Sequence, residues 1–174
     1  RGDVLDDRVT RLLYSTDGSL YRLTPAVVVC PRDAEDVARL VFFSQETQIP
    51  IVARGAGTGL AGESLTTGIA VDFTRYMTQI VDLDLSNGRA RVQPGVILDE
   101  INRLARPAGW QFGPDPSSGS RATVGGSVAN NATGAHSLHY GYCSDNICSL
   151  EVMLANGRQI RTNEPAARDL EQKL

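Results

Sequence analysis

Two segments of the sequence are unusually rich in glycine and other small residues. The first loop, residues 54–68, follows a short apolar run, and the second loop covers residues 109–146. Within them, residues 55–62 and 109–141 hold eleven of the 17 glycines: Gly55, Gly57, Gly59 and Gly62, which follow Arg54, and then Gly109, Gly113, Gly119, Gly125, Gly126, Gly134 and Gly141. Glycine lets main-chain N–H groups touch a ligand directly, and successive N–H groups form anion-binding concavities. The chemistry predicted is the holding of a large, flat, phosphate-bearing ligand.

The length of both loops favours binding over an ordinary flexible surface turn, which is the alternative for the first loop. Connections in compact domains usually have about 4–6 residues, and longer ones are commonly functional. Ordering each loop residue costs roughly 1–2 kcal/mol of backbone entropy, and small side chains bury little apolar surface to offset it. We therefore expect a ligand to complete the core of this protein.

The first loop does not satisfy either of two familiar nucleotide-binding motifs. It has no Gly-Lys-Ser/Thr element, which excludes a P-loop at this position. The segment 57–62 does match the glycine spacing of the dinucleotide fingerprint, but that fingerprint needs a helix to begin inside the motif. Residues 63–68 are too few for a helix, and residues 69–73 are predicted as a strand. A Rossmann-type NAD site is thus the weaker alternative.

Histidines and cysteines provide no catalytic or metal centre in the sequence. His136 and His139 both lie in the second loop, but two histidines without a third ligand make a weak metal site. Cys30, Cys143 and Cys148 follow no metal-binding spacing and are expected to be reduced thiols. We predict no metal site and assign no catalytic residue.

The regular elements that must position these loops follow from hydrophobic periodicity. We predict helices over 3–13, 34–47 and 96–106, strands over 26–30, 51–53, 69–73, 79–82 and 90–93, a final hairpin of 147–154 and 158–162, and a charged helix over 164–174. Asp33 is the predicted N-cap of the second helix, and residues 86–88 (Ser-Asn-Gly) form a hairpin turn. The first βαβ unit is expected to place its two parallel strands side by side. No regular element is predicted in the second loop.

Composition limits the class of protein. Of the 174 residues 41% are hydrophobic and 21% charged, and the formal net charge is -3, which is typical of a globular domain. Nucleic acid is an excluded partner because no basic stripe is present. The sequence shows no apolar run of the roughly 20 residues that cross a bilayer and no secretory signal, so a cytoplasmic location is expected.

Several ordered motifs resemble those of one known family. They are residues 50–60 (Pro-Ile-Val-Ala-Arg-Gly-Ala-Gly-Thr-Gly-Leu), 113–118 (Gly-Pro-Asp-Pro-Ser-Ser), 123–131 (Thr-Val-Gly-Gly-Ser-Val-Ala-Asn-Asn), 140–141 and 145–147. Together they resemble the PCMH/vanillyl-alcohol-oxidase type of FAD-binding domain, and within it the FAD-linked D-2-hydroxyacid dehydrogenases. That group contains the glycolate oxidase subunit, D-lactate dehydrogenase and D-2-hydroxyglutarate dehydrogenase. The resemblance extends from about residue 14 to residue 162.

The resemblance implies which residues bind FAD. Residues 54–60 would hold the pyrophosphate through main-chain N–H groups, and the second loop would line the flavin, the ribityl chain and the adenosine. The implied cofactor-binding residues are Arg54, Gly55, Ala56, Gly57, Thr58, Gly59, Leu60, Pro114, Asp115, Ser118, Thr123, Gly125, Gly126, Ala129, Asn131, Gly134, Gly141 and Ile147. Relatives that bond FAD covalently carry His where this chain has Thr58, so non-covalent FAD is expected. Thr133, where many relatives have glycine, is a departure from the pattern.

The resemblance also implies the architecture and the activity. The expected fold is α+β, with FAD between two α/β lobes: an N-terminal helix and lead-in (1–25), a first lobe (26–85), a second lobe (86–162) and a linker helix (163–174). The site is expected to be incomplete without a C-terminal part.

The expected function is oxidation of a D-2-hydroxyacid to the 2-oxoacid by hydride transfer to FAD. The substrate would bind through a cap domain, and an iron–sulfur module could accompany it in the full-length protein or a partner subunit. A location at the inner face of the membrane is compatible with this function. The alternative is a non-catalytic flavin- or nucleotide-binding subunit.

Overall fold

A buried four-stranded sheet forms the first part of the molecule. The structure is a computed structural model that describes residues 1–162. The strands are β1 (Asp3–Leu5), β2 (Val27–Cys30), β3 (Ile51–Arg54) and β4 (Ile69–Asp72), in the spatial order β1-β2-β4-β3. β4 pairs in parallel with both β2 and β3, whereas β1 is antiparallel to β2. All four residues of β4 are buried, as expected of a strand that is covered on both faces.

Apolar side chains cover both faces of this sheet. On one face Val29, Ile69 and Val71 pack with Leu40 of helix α2 (Ala34–Thr47). On the other face Val28, Cys30 and Ala70 pack with partly buried side chains that include Tyr14. The predicted N-cap of α2 is confirmed, because the Asp33 carboxylate accepts a hydrogen bond of 2.9 Å from the N–H of Asp36. The sheet is therefore a rigid base for the segments that leave its edges.

The predicted helix over 3–13 is wrong in its first half. Residues 3–5 form the edge strand β1, in which Val4 is exposed while Leu5 packs on the sheet, an alternation typical of a strand. Helix α1 (Arg8–Leu13) begins only after Asp7, whose carboxylate accepts hydrogen bonds from the N–H groups of Val9 and Thr10. The strand pairing and the cap together fix the boundary.

The prediction that the two parallel strands of the first βαβ unit are adjacent in the sheet is also wrong. β2 and β3 are parallel, but β4 lies between them. The connection from β3 to β4 joins adjacent parallel strands through residues 55–68, and it contains no helix. Such crossovers need a dozen or more residues and usually contain a helix. The first loop therefore runs back along the sheet as irregular chain.

A two-stranded hairpin follows the sheet. β5 (Ile80–Asp84) and β6 (Arg89–Val92) are antiparallel, and the turn between them contains the predicted Ser-Asn-Gly sequence. The Ser86 hydroxyl, the Asn87 side chain and two main-chain N–H groups donate to the Asp84 carboxylate and lower its pKa to about 2. The predicted lobe boundary between residues 85 and 86 falls within this turn. The division into lobes stays a prediction.

The remainder of the described chain is built from short elements. Helix α3 (Leu98–Ala105) matches the predicted helix over 96–106. A 3-10 turn at Arg106–Ala108 follows it. The second loop, predicted to lack regular structure, contains helices α4 (Val124–Ala129) and α5 (Ser137–Tyr140) and a 3-10 turn at Cys143–Asn146. A final hairpin pairs β7 (Glu151–Met153) with β8 (Gln159–Arg161). The predicted helix over 163–174 lies outside the described residues.

The final hairpin packs against the first part of the molecule. The Gln45 amide of α2 donates to the carbonyl of Ala155 in the β7–β8 turn. The ring of Phe42 lies so close to Gly157 that an added Cβ would be 2.7 Å from it. None of the helices within residues 1–162 has the length and apolar character needed to cross a bilayer.

Candidate functional site

The first loop presents a row of unused hydrogen-bond donors. It begins at the carboxyl end of β3, the edge of a parallel sheet where ligands usually bind. Within residues 1–162, the six main-chain N–H groups of residues 55–60 donate to no protein acceptor. The next N–H group along the chain, that of Ala61, donates to the Glu63 carboxylate. Gly57 has a φ of +66°, which glycine adopts at little cost. These six donors are available to an anion.

The segment before β2 supports this loop from below. The N–H of Gly18 donates to the carbonyl of Gly57 at 2.9 Å, and the Ser64 hydroxyl donates to the Asp17 carboxylate at 2.9 Å. A Cβ on Gly18 would be 2.8 Å from the carbonyl oxygen of Gly59. Sequence reasoning missed Asp17 and Gly18, although residues 16–19 (Thr-Asp-Gly-Ser) carry a turn signal.

We expect Asp17 to make stability sensitive to acid. Burial is the largest influence on its pKa and raises it, but hydrogen bonds from Ser19 and Ser64 and the charge of Arg54 outweigh burial and lower the pKa. A carboxylate with a lowered folded-state pKa stabilises the protein above its unfolded-state pKa, and this contribution is lost as pH falls through the folded-state pKa. In Asp17→Asn, the decline of the free energy of unfolding from about pH 5 to about pH 2 should be shallower. Urea titrations measure it, with Asp6→Asn as control; identical slopes for Asp17→Asn and wild type would refute the assignment.

The two loops meet at Gly55 and Thr123. A Cβ on Gly55 would be 2.2 Å from the Thr123 hydroxyl oxygen, so only glycine permits this approach. The same hydroxyl caps α4 by accepting from the N–H of Gly126 at 3.3 Å. A cleft of about 460 Å³ opens beside this contact. Its lining residues are Ala56, Thr74, Thr78, Gly95, Val96, Ile97, Glu100, Ser120, Arg121 and Thr123.

A second cavity lies within the second loop. It measures about 420 Å³ and is lined by Asp99, Asp115, Pro116, Ser117, Gly119, Ser120, Thr133, Gly134 and Ala135. Ser120 lines both cavities, so they adjoin at this residue. Carboxylates and hydroxyls dominate its polar groups. They can accept hydrogen bonds from the hydroxyls of a polyol chain.

Backbone conformation in the second loop is strained at two of the predicted site residues. Asp115 has a φ of +51° and Asn131 a φ of +44°, in the left-handed region that favours glycine. The Asp115 carbonyl accepts from the N–H of Ala135 at 3.2 Å, and the Asn131 amide oxygen accepts from the N–H of Ser144 at 2.9 Å. Strained residues of this kind cluster at ligand sites. Both residues are held in place by contacts across the loop.

The other predicted site residues are distributed over several environments. The N–H groups of Gly125 and Gly126 already donate within the protein, to the Pro94 carbonyl at 2.8 Å and to Thr123, unlike those of residues 55–60. Pro114 is fully buried, and Gly141 has a φ of +78°. Neither cavity is lined by Ser118, Ala129, Asn131, Gly141 or Ile147. The individual roles of all these residues stay predictions.

Sequence reasoning missed Glu100 and Arg121 in the cleft, since charged side chains on an expected helix or loop carry no distinctive signal.

The two histidines contact other side chains of the second loop and do not form a metal site with them. His136 Nδ1 lies 3.4 Å from the Asp115 carboxylate, and both side chains are partly exposed. The His139 ring contacts the Tyr140 ring edge-on at 4.5 Å between centroids. In residues 1–162 no three His, Cys, Asp or Glu side chains come close enough to hold a metal ion.

Comparison with known proteins adds the family context. Residues 25–163 match the model of a family described as FAD binding domain. The chain is 38% identical over 165 residues to D-2-hydroxyglutarate dehydrogenase of Pseudomonas putida, covering 93% of this chain and 16% of that protein. It is 39% identical over 167 residues to the glycolate oxidase subunit GlcD of Bacillus subtilis, covering 95% and 36% respectively. The chain thus spans about one-sixth to one-third of the length of these relatives.

Solved structures show the same architecture. The chain superposes on 6-hydroxy-D-nicotine oxidase from Arthrobacter nicotinovorans with a TM-score of 0.80 and 26% identity, covering 95% of this chain and 37% of that one. It also matches a wild-type BBE-like protein of Physcomitrella patens with a TM-score of 0.81, at 20% identity, which is a likeness of fold.

Proposed function

This chain belongs to the FAD binding domain family, and on that premise we propose that it holds non-covalent FAD in an enzyme that oxidises a D-2-hydroxyacid. The predictions of the family, of the α+β fold and of FAD as the cofactor are confirmed. The substrate, the mode of attachment and the partners of the whole protein go beyond this domain and are argued below.

The unused N–H groups of residues 55–60 carry the proposal. FAD contains a diphosphate bridge, and a run of main-chain donors at the carboxyl end of a parallel strand is suited to its oxygens. The adjoining cleft of about 460 Å³ is lined by both loops, and Thr123 is one of the residues that the second loop contributes. The chain therefore fits the cofactor of its family by its own geometry.

The proposed chemistry divides between cofactor and protein. Bound FAD would supply the acceptor for the hydride from the substrate α-carbon. This chain would bind the cofactor, orient it between the two loops and leave the reactive face accessible to the rest of the enzyme. A group that removes the hydroxyl proton is needed as well. We propose that this group and the substrate site lie outside the chain, in a cap domain.

The substrate class rests on the relatives. D-2-hydroxyglutarate dehydrogenase and the glycolate oxidase subunit, by their names, act on 2-hydroxyacids and match most of this chain. The name of the second also makes it one subunit of an oxidase, which supports a partner subunit for the whole protein. We propose that an iron–sulfur module accompanies it, in the full-length protein or in a partner subunit. We place the protein in the cytoplasm, free or peripheral to the inner face of the membrane.

A cofactor titration tests the proposed function. The protein should be purified as the longest reading frame that contains this chain, stripped of flavin and titrated with FAD. We expect the two visible bands of oxidised flavin to shift and saturate at one FAD per chain, and a D-2-hydroxyacid to bleach them anaerobically. Saturable binding without bleaching by lactate, glycolate or 2-hydroxyglutarate would favour the non-catalytic subunit. Absence of saturable binding would reject the proposal.

We expect the flavin to be released completely by acid. Thr58 stands where covalently flavinylated relatives have His, and a threonine hydroxyl does not form that bond with the flavin ring. Precipitation of the yellow holoprotein with trichloroacetic acid should leave all colour in the supernatant. The His variant Thr58→His serves as a comparison under the same treatment. Yellow colour in the washed wild-type pellet would contradict non-covalent attachment.

A further inference from the structure

The Arg54 side chain is buried beneath the first loop rather than directed to solvent. The residue is only 8% exposed. Its guanidinium donates to the carbonyl of Thr16 at 2.7 Å and to that of Tyr14 at 3.4 Å, and it lies over the Tyr14 ring, 5.1 Å from the centroid. Because these contacts fix the planar group from one side, the side chain is held in a single place.

The charge of this guanidinium has no ion-pair partner. No carboxylate oxygen in residues 1–162 lies within 4.0 Å of its nitrogens. Every buried side-chain nitrogen and oxygen of the described chain has a hydrogen-bond partner, and those of Arg54 are main-chain carbonyls, which carry no net charge. Buried charges in proteins are normally paired. Two carboxylates lie nearby, because the charge of Arg54 lowers the pKa of Asp17 and Asp72 is the β4 partner of Arg54 in the sheet register. Neither forms an ion pair with the guanidinium, so this buried cation can interact with a further anion.

The position of the guanidinium indicates where that anion binds. A Cβ on Gly57 would be 2.6 Å from Nη2 and 3.1 Å from Cζ of Arg54, so the cation lies directly against the main chain of Gly57. Gly57 lies within the row of six unused N–H groups. The buried cation and the N–H groups thus converge on the same stretch of main chain.

We infer that the Arg54 guanidinium is the counter-charge of the cofactor diphosphate and acts through the main chain of Gly57 without touching the phosphates. This inference rests on the proposed function and deepens it. Arg54 is a positioning residue with two effects: it holds the loop on residues 14–16, and its charge favours a ligand with phosphates over one without. The charge of Glu63 in the same loop is exposed, so solvent screens it more strongly than that of Arg54.

The two effects can be separated by comparing FAD with riboflavin, which has the flavin ring and ribityl chain but no phosphate. The measurement is the dissociation constant of each ligand for the flavin-stripped protein in its longest reading frame, from quenching of flavin fluorescence. In Arg54→Gln we expect the ratio of riboflavin to FAD dissociation constants to fall at least about tenfold, and the salt dependence of FAD binding to become weaker. In Arg54→Lys, which keeps the charge, the ratio should stay within about threefold of wild type. Arg103→Gln removes an exposed positive charge and is the matched control.

Each outcome decides the inference. An unchanged ratio in folded Arg54→Gln would overturn the inference. If both ligands bind equally more weakly, the role of Arg54 is purely structural, and if neither binding changes, Arg54 has no role in binding. Circular dichroism and the melting temperature report whether that variant folds. If it does not, Arg54→Lys decides, because collapse of the ratio in a folded protein that keeps the charge also overturns the inference, and a preserved ratio supports it. Failure of the wild-type protein to bind FAD would instead reject the proposed function.

Discussion

Replacing Gly57 with valine should abolish retention of FAD while leaving a folded but less stable chain. Gly57 has a φ of +66°, and a left-handed backbone costs a residue with a Cβ roughly 1–2 kcal/mol, with β-branched residues tolerating it worst. The new Cβ would also lie 2.6 Å from the Arg54 guanidinium, which is pinned by two carbonyls. The main chain must move at the centre of the N–H row. Flavin stoichiometry after gel filtration measures the effect.

Gly109→Val is the matched control for this variant. Gly109 also has a left-handed backbone, with a φ of +82°, but an added Cβ would meet nothing within 4 Å. It therefore has the same backbone strain without any displacement of the first loop. We expect a smaller loss of melting temperature in Gly109→Val than in Gly57→Val, and full flavin stoichiometry in Gly109→Val. Unchanged stoichiometry in Gly57→Val would remove the first loop from the cofactor site.

Replacing Gly134 with alanine should cause a large loss of stability for the addition of a single methyl group. Its Cβ would lie 2.1 Å from the carbonyl oxygen of Asp115 and 2.2 Å from that of Pro114, which are rigid main-chain atoms. Overpacking of this kind typically costs up to about 3 kcal/mol, or roughly 6–12 °C in melting temperature for a domain of this size. Because Asp115 lines the second cavity, FAD affinity should fall as well. Thermal denaturation and the FAD titration measure the two effects.

Gly126→Ala is the appropriate comparison, since its Cβ would meet one atom, the Thr123 hydroxyl oxygen, at 3.2 Å. Alanine is also the better helix former by about 1 kcal/mol, and Gly126 lies in α4. Its melting temperature should therefore stay near that of wild type. A melting temperature of Gly134→Ala within about 2 °C of wild type would mean that the Asp115 segment moves freely, contrary to the packing described.

Local signals predicted those elements in which the residues themselves determine the structure. The carboxylate of Asp33 caps α2, and the Ser-Asn-Gly sequence turns the β5–β6 hairpin, so both were visible in the sequence. Helix α4 was not, because two of its six residues are glycine and its stability comes from the Thr123 cap and from packing. The insertion of β4 between β2 and β3 depends on pairing between strands distant in sequence. No local periodicity contains that information.

The site shows the same division. Glycine content located both loops, and the motif resemblance named the cofactor, since backbone donors leave no side-chain signature of their own. The direction of the Arg54 side chain could not be predicted. It follows from the carbonyls of Tyr14 and Thr16, which reach the loop only after the N-terminal segment has folded across the sheet. Thr123 was predicted at the cofactor, whereas its packing against Gly55 emerged only from the tertiary structure.

The support of the first loop by residues 14–18 bears on how this domain should be delimited. The family match begins at residue 25, downstream of the Gly18–Gly57 hydrogen bond and of both carbonyls that hold Arg54. A truncation designed on that boundary would keep every glycine of the loop and remove the surface on which it rests. Domain-swap chimaeras that are meant to keep the first loop in place should therefore be joined upstream of Tyr14.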